Sequence, residues 1–274
     1  MSEKNRGDGN RSARERLQQQ RERDRAREKQ RRVLIVSAAV VGVLGLAAVV
    51  GVIAAGGDKN SGSDKAGPVV APTAATDEDG KPAIPTGRAD APSTLAVWED
   101  FRCPACAQFE NVMRDAVHEL EASGALKVDY HLATLIDGNM GGSGSLRAAN
   151  AAACAQDAGK FTAYHDTLYI NQPPETDDAY GKNAKLIELA AKVPGLDTPT
   201  FRSCVNDGTH DSWVKKSHEA FQNGGFRGTP SVLLNGESIF PTKGNEQISP
   251  ANLKKWVAEA NKGKKPGTAS PSAG

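Results

Sequence analysis

The sequence predicts an α/β fold, and three observations after residue 91 lead to this prediction. Residues 94–101 are apolar enough for a buried strand and run directly into a pattern with helical spacing. Residues 126–132 alternate apolar and polar side chains, which indicates a second strand. Residues 231–234 and 237–240 flank Asn235-Gly236, a dipeptide typical of a tight hairpin turn.

Helical patterns fill most of the remaining domain. The first helix begins after Cys103 and ends near Gly124, and the last has Ser249 as its cap, Pro250 in its first turn and Gly263 at its end. Residues 138–144 are predicted to form a loose loop. Between that loop and the hairpin the spacing predicts helices at residues 145–158, 161–170, 178–193, 198–205 and 210–222.

The charge of the chain is unevenly distributed. Residues 1–32 carry 12 Lys and Arg against 6 Asp and Glu, whereas the rest of the 274 residues carry 22 against 27. A nucleic-acid-binding protein usually carries its positive charge on the folded part. We therefore expect no nucleic-acid partner. Four cysteines are also too few for a cysteine-rich scaffold.

Residues 33–55 are an apolar stretch without charge or proline. At about 1.5 Å per residue a helix of this length reaches about 34 Å, enough to cross a hydrocarbon core of about 30 Å. Arg31 and Arg32 precede it, and positive charge stays on the cytoplasmic side. We predict a single transmembrane helix in the cell membrane, with residues 1–32 as a cytoplasmic tail and the rest outside the cytoplasm. A cleaved signal peptide is the alternative, since Ala54-Ala55-Gly56 would permit cleavage.

Composition divides the part of the chain after this helix into three regions. Residues 56–91 are rich in Gly, Ser, Pro, Asp and Thr and contain too few apolar residues for a core, which predicts a flexible extracytoplasmic linker. Residues 92–262 are the predicted α/β domain. Residues 263–274 are predicted to be a disordered tail.

Cys103-Pro104-Ala105-Cys106 stands where the first predicted strand passes into a helix. A thiol there faces unpaired backbone N–H groups and the positive end of the helix dipole, which favour the thiolate. Because a stabilised thiolate is a better leaving group, a disulfide between the two cysteines would be readily reduced by substrate thiols. A zinc site is the first alternative, but it would need two more ligands, and none of the five histidines lies close in sequence. A structural disulfide is the second. We predict a redox-active pair, Cys103 and Cys106, with no metal and no cofactor.

Residues 100–106 (Asp-Phe-Arg-Cys-Pro-Ala-Cys), followed by Phe109-Glu110, resemble the DsbA-like branch of the thioredoxin superfamily in its membrane-anchored, actinobacterial form. The resemblance continues through residues 149–166 and ends with Gly228-Thr229-Pro230 before a strand. It implies a thioredoxin-like fold with a helical insertion at about residues 143–224. It also implies that the peptide bond before Pro230 is cis and that Thr229 and Pro230 bind the substrate backbone beside Cys103.

Two positions depart from the pattern of this family. Ala105 replaces the histidine that many DsbA enzymes carry, so the resemblance implies a Cys103 that is less acidic than in the strongest oxidants. Val97 stands where thioredoxins and many relatives carry a buried acid. Glu99 or Asp100 could accept a proton instead, or both could be surface carboxylates at the end of the strand.

Cys154 and Cys204 are the two other cysteines. Outside the cytoplasm, two cysteines in helical sequence are most simply a structural disulfide. The resemblance favours the same pairing, because actinobacterial DsbA-like proteins often carry a disulfide in the helical insertion. A second redox relay is the alternative.

The resemblance implies a thiol-disulfide oxidoreductase that introduces disulfides into exported proteins. Cys103 would form the mixed disulfide with the substrate, and the more buried Cys106 would resolve it. A quinone-linked membrane protein of the DsbB or vitamin-K-epoxide-reductase type is the expected re-oxidant. A reductase, an isomerase, and a tethered binding or chaperone module with merely structural cysteines remain alternatives.

Overall fold

A computed structural model of the protein describes residues 68–270. The predicted transmembrane helix at residues 33–55 and the charged tail before it lie outside these residues. Among the helices that the structure does describe, none is long and apolar enough to cross a membrane.

The strands and the first helix are β1 Thr76–Glu78, β2 Lys81–Gly87, β3 Thr94–Glu99, α1 Pro104–Ala122, β4 Lys127–Leu132, β5 Ser231–Leu234, β6 Glu237–Ser238, β7 Thr242–Lys243 and β8 Glu246–Gln247. A six-stranded sheet in the order β1-β2-β4-β3-β5-β6 forms the centre of the domain. β3 and β4 run parallel, and the other neighbours are antiparallel. The helix α1 supplies the crossover that a parallel pair requires. A separate two-stranded sheet, β7-β8, follows.

The predicted helical insertion lies between β4 and β5, and α8 (Pro250–Ala260) closes the chain, capped by Ser249 as the sequence predicts. The insertion begins earlier than residue 143, because residues 135–140 form a short helix, and the prediction of a loose loop at residues 138–144 is therefore wrong for residues 138–140. Its Asp137 carboxylate accepts hydrogen bonds from the N–H groups of Ser145 and Leu146, which ties this helix to the next one. The helices of the insertion are α2 Leu135–Met140, α3 Gly144–Asp157, α4 Phe161–Ile170, α5 Asn183–Ala190, α6 Pro199–Asp207 and α7 Asp211–Asn223, with a 3₁₀ turn at Ala179–Gly181.

The sheet carries a core on each face. Leu95 and Val97 of β3 belong to the larger core, which includes apolar residues of α1 and of the insertion. Trp98 belongs to a smaller cluster with Phe221 of α7. Because successive side chains of a strand point to opposite faces, the two clusters lie on opposite sides of the sheet.

The prediction of a flexible linker up to residue 91 is wrong for residues 76–87, which form β1 and β2. Ile84 is fully buried and pairs with Tyr130 of β4. Asp79 and Gly80 connect the two strands with positive φ angles of 53° and 73°. Asp-Gly is a strong signal for a two-residue hairpin, and the abundance of Pro and Gly around it concealed this signal.

The prediction of a disordered tail is wrong for residues 267–269. The N–H of Gly267 donates to the carbonyl oxygen of Gly124 at 2.8 Å. The carboxylate of Asp90 accepts hydrogen bonds from the N–H groups of Thr268 and Ala269 at 2.8 and 2.9 Å. These partners lie far away in the sequence, so the composition of the tail could not reveal them.

Candidate active site

Cys103 lies in the loop between β3 and α1 and is the N-cap residue of α1. Its backbone is extended (φ −76°, ψ 119°), and Pro104 occupies the first turn of the helix, where a missing N–H leaves no hydrogen bond unmade. The side chain of Cys103 is 6% exposed and that of Cys106, one turn further on, is fully buried. Both are free thiols in this structure. Both cysteines are therefore buried, and only Cys103 retains a small exposed fraction.

The two cysteines differ sharply in acidity. A hydrogen bond from Cys106 is the main cause that lowers the pKa of Cys103 to about 6, and the N–H groups of Cys106 and Ala105 add to the shift against an opposing effect of burial. Burial raises the pKa of Cys106 well above its usual range, and the neighbouring Cys103 raises it further. At neutral pH the pair therefore holds one thiolate, at Cys103, and one thiol, at Cys106.

Thr229 and Pro230 reach the same site from the beginning of β5. The Cys103 thiol lies 3.2 Å from the carbonyl oxygen of Thr229, and the Thr229–Pro230 peptide bond is cis. β5 is positioned by its pairing with β3, in which Ser231 lies opposite Trp98. The structure thus brings together four of the predicted site residues: Cys103, Cys106, Thr229 and Pro230.

Gln172 and Arg102 hold the loop before α1 in place, and the sequence did not reveal either role. Gln172 donates hydrogen bonds to the carbonyl oxygens of Phe101 and Cys103, at 2.9 and 3.0 Å. Arg102, which is 3% exposed, forms ion pairs with Asp137 at 2.7 Å and Asp178 at 3.3 Å. Both residues connect the loop to the insertion across more than 30 positions of sequence, a separation at which no local pattern signals the contact.

The carboxyl groups before the motif are fully buried, so the alternative of surface carboxylates at the strand end is wrong for both. Asp100 accepts hydrogen bonds from the N–H groups of Arg102 and Ile136, at 2.8 and 2.9 Å. Burial nevertheless raises the pKa of Asp100 to about 7. Glu99 contacts His165 of α4, with 2.9 Å between Oε1 and Nε2.

Two groups of side chains in the described part of the chain have the residue types of a metal site. Glu99, Glu110 and His165 have atoms within 4.8 Å of one another, but they are fully buried and the contact between Glu99 and His165 is a hydrogen bond. We interpret this group as a cluster of charges inside the core. The second group contains Cys154 and Cys204, whose sulfurs are bonded to each other and therefore offer no thiolate ligand.

Cys154 of α3 and Cys204 of α6 form the disulfide that was predicted for the insertion. The S–S distance is 2.03 Å and the Cα atoms are 5.9 Å apart. The bond joins two helices that are 50 positions apart in sequence.

The chain is similar to several known proteins. A family model described as thioredoxin matches residues 79–259. The probable disulfide bond formation protein D of Bacillus cereus is 27% identical over 158 residues, 57% of this chain and 71% of that protein. The oxidised DsbA of Mycobacterium tuberculosis aligns with a TM-score of 0.55 and 27% identity over 65% of this chain and 92% of that one. The reduced DsbG of the same organism has the same TM-score and identity over 65% and 86%.

Proposed function

Because the chain belongs to the thioredoxin family and is a DsbA-like thiol-disulfide oxidoreductase, we propose that its Cys103–Cys106 pair introduces disulfides into exported proteins. Similarity to the disulfide bond formation protein of Bacillus cereus supports this direction of electron flow. The observation that carries the proposal is the geometry of the pair, in which Cys103 lies at the N-terminus of α1 beside the Thr229 carbonyl oxygen and Cys106 is fully buried one turn further on.

The acidity of Cys103 favours oxidation of substrates. The hydrogen bond from Cys106 is the largest cause of its low pKa. A low pKa means that the thiolate is stabilised, and this stabilisation favours the reduced form of the pair over the disulfide. A disulfide whose reduced form is stabilised accepts electrons readily, as in strongly oxidising members of the thioredoxin superfamily. The enzyme would therefore transfer its disulfide to a substrate rather than reduce one.

The reaction then proceeds in two thiol exchanges. A substrate thiolate attacks the Cys103 sulfur, the bond between Cys103 and Cys106 breaks, and a mixed disulfide forms. A second substrate thiolate attacks the substrate sulfur of that bond, and Cys103 leaves as a thiolate. In this scheme Thr229 and Pro230 hold the backbone of the substrate beside Cys103, because the carbonyl oxygen of Thr229 lies 3.2 Å from its sulfur at the start of β5.

We place this reaction outside the cytoplasm, with residues 33–55 as a transmembrane anchor. Support comes from the length of that apolar stretch and from Arg31 and Arg32 before it. Each cycle leaves the pair reduced, so continued oxidation needs an acceptor for two electrons. A quinone-linked membrane protein of the DsbB or vitamin-K-epoxide-reductase type would meet this need.

A redox titration of the full chain in detergent tests the proposal. The chain is equilibrated with glutathione buffers, and differential alkylation with mass spectrometry measures each cysteine pair separately. We expect a potential for Cys103 and Cys106 above roughly −180 mV, the range of oxidants. A value below roughly −270 mV would indicate a reductase. A pair that resists reduction by dithiothreitol would favour the binding or chaperone module.

A further inference from the structure

Residues 68–73, called the strap below, precede β1 and contact the helical insertion. The N–H and the hydroxyl of Thr73 donate to Oδ1 of Asp157 at the end of α3, at 2.7 and 2.9 Å. The N–H of Val70 donates to the hydroxyl of Ser212 at the start of α7, at 3.3 Å. The ends of two helices therefore hold a segment that belongs to no helix or strand.

The strap buries little apolar surface. Val69 and Val70 are 52% and 40% exposed, although valine is usually a core residue. Within residues 68–73 only Pro72 is buried. Polar contacts therefore supply most of the attachment of the strap to the insertion, and this attachment depends on the protonation of the groups that make them.

His210 lies between the strap and α3, and its side chain is 2% exposed. Its Nδ1 lies 2.9 Å from the carbonyl oxygen of Val70, and its Nε2 lies 2.8 Å from Oδ2 of Asp157. Both oxygens are acceptors, and a neutral imidazole has only one N–H to donate. Both hydrogen bonds therefore form only when His210 is an imidazolium with a proton on each nitrogen.

The other charged groups near His210 come from α3 and α7. Asp211 follows it in sequence and interacts electrostatically with Lys215, Arg147 and His210 itself. The sulfurs of the nearby disulfide of the insertion carry no charge, and the strap has no titratable side chain. In the part of the chain that the structure describes, Asp157 is the carboxylate that contacts the imidazole directly. The contact between the strap and the insertion therefore depends on the proton shared by His210 and Asp157.

We propose that His210 is a pH-dependent latch for the strap. The imidazolium holds the Val70 carbonyl group and the Asp157 carboxylate at the same time. When it gives one proton to solvent, one of its nitrogens presents a lone pair to an oxygen, and that contact is lost. The strap is attached at acidic pH and is released as the pH rises through the range in which histidines titrate.

Release of the strap changes the point at which the preceding chain leaves the domain. With the strap attached, 12 residues (56–67) separate the proposed membrane helix from the domain, and with the strap released 20 residues (56–75) do. At no more than about 3.6 Å per residue, the maximum span rises from about 43 Å to about 72 Å. The latch thus sets how far from the membrane Cys103 can work. This consequence rests on the proposed function, whereas the latch itself does not.

Hydrogen–deuterium exchange of the full chain in detergent, at about pH 5.5 and about pH 8, tests the latch. Mass spectrometry follows the peptide that contains Val70 and Thr73, and its rate is divided by that of an unstructured peptide at the same pH. A hydrogen bond to a charged group changes an equilibrium by about tenfold or more, so we expect the protection to fall about tenfold at the higher pH. The amides around Ile84 of β2 should stay protected. Equal protection of the strap at both pH values would overturn the latch.

The variant Asp157→Asn should reverse the direction of the pH dependence. Its amide can donate from Nδ2 to an unprotonated Nε2 of His210 while its oxygen accepts from Thr73. We therefore expect this variant to hold the strap at the higher pH and to release it at the lower one. The side chain of Asp157 is 38% exposed, so the substitution leaves the core intact. A pH dependence in the wild-type direction would overturn the assignment of the Asp157 contact.

The variant His210→Gln removes the titrating group, and the protection of the strap should then be the same at both pH values. His118→Gln is the matched control, because His118 contacts Asp166 and not the strap. It should keep the wild-type pH dependence. If His210→Gln keeps this dependence, His210 is not the latch. Thermal unfolding shows whether each variant is folded, and Asp157→Asn still decides the question if His210→Gln is not.

Energy transfer from the tryptophans to dansyl-labelled lipid, with the full chain in nanodiscs, tests the change in reach. The donors Trp98, Trp213 and Trp256 all lie in the folded domain. We expect less transfer at the higher pH for the wild type and more for Asp157→Asn. Equal transfer at both pH values, with a pH-dependent strap, would overturn the effect on reach. No transfer at either pH value, with the same strap behaviour, would refute the proposed membrane anchor and leave the latch supported.

Discussion

The thiol of Cys103 donates a hydrogen bond to the carbonyl oxygen of Thr229, 3.2 Å away. This contact needs the thiol proton, so it belongs to the protonated form alone. When Cys103 ionises, its sulfur keeps the hydrogen bond from Cys106, which is the largest cause of its lowered pKa. Ionisation therefore removes the contact with the Thr229 carbonyl oxygen, whereas the hydrogen bond with the Thr229 side chain, which also lowers the pKa of Cys103, holds the thiolate beside β5.

The first prediction concerns the pH dependence of this ionisation. The rate of alkylation of reduced Cys103 by iodoacetamide should rise about tenfold per pH unit below a midpoint near 6 and level off above it, because the pKa is lowered to about 6. The absorbance of the thiolate at 240 nm provides a second measurement. Cys103→Ser is the control and should remove the titration. A midpoint near that of an ordinary thiol would contradict the electrostatics of the site.

The second prediction separates the roles of the two cysteines. Cys106→Ser should trap mixed disulfides with client proteins, because the remaining Cys103 thiolate can attack a client disulfide and break it, and the attack by Cys106 that would release the client from Cys103 is lost. Cys103→Ser should abolish turnover and trap nothing. Non-reducing gels of cells that produce each variant provide the measurement. If Cys106→Ser accumulates no mixed disulfide, the assignment of Cys103 as the attacking residue is wrong.

The third prediction concerns Gln172, which donates to the carbonyl oxygens of Phe101 and Cys103. Gln172→Ala removes two hydrogen bonds and should lower the free energy of unfolding by about 1–3 kcal/mol. It should also slow the reaction with thiols, because the loop that carries Cys103 is no longer held. Denaturant unfolding and stopped-flow reduction measure the two effects. The exposed Gln108 of α1 provides the control, Gln108→Ala, which should change neither quantity.

The parts of this site that could be predicted from the sequence are those with a local signal. Cys103 and Cys106 stand at a strand-to-helix boundary that hydrophobic spacing reveals, and Thr229-Pro230 was recognised through the family resemblance. Gln172 carries no such signal, because its contact with Cys103 depends on how the insertion folds back. The same holds for the burial of Glu99, which results from the packing of α1 and α4 over β3.

The fourth prediction concerns the disulfide between Cys154 and Cys204. Replacing both by alanine removes a cross-link between residues 50 positions apart, and the unfolded chain gains conformational entropy. The free energy of unfolding should therefore fall by roughly 4 kcal/mol in the chain-entropy model. The potential of the Cys103–Cys106 pair should not change, because the disulfide braces α3 and α6 and has a structural role. Thermal unfolding and the redox titration measure the two quantities. A shift in the potential of the active pair would support the alternative of a redox relay.

The last prediction concerns where the folded domain begins. β2 lies between β1 and β4, and Ile84 at its centre is fully buried. Burial of such a side chain contributes about 1.5–3 kcal/mol, and each hydrogen bond to β4 adds about 0.5–1.5 kcal/mol. A chain that starts at residue 88 should therefore lose several kcal/mol, a large part of the stability of a typical domain.

A chain that starts at residue 68 retains both strands and is the matched control. Thermal unfolding followed by circular dichroism should give a clearly lower midpoint for the shorter chain, or no cooperative transition. In the shorter chain the edge of β4 that β2 normally covers is open to solvent. This edge should therefore also bind a hydrophobic dye. Equal midpoints for the two chains would mean that residues 68–87 add nothing to the domain, as expected of a flexible linker.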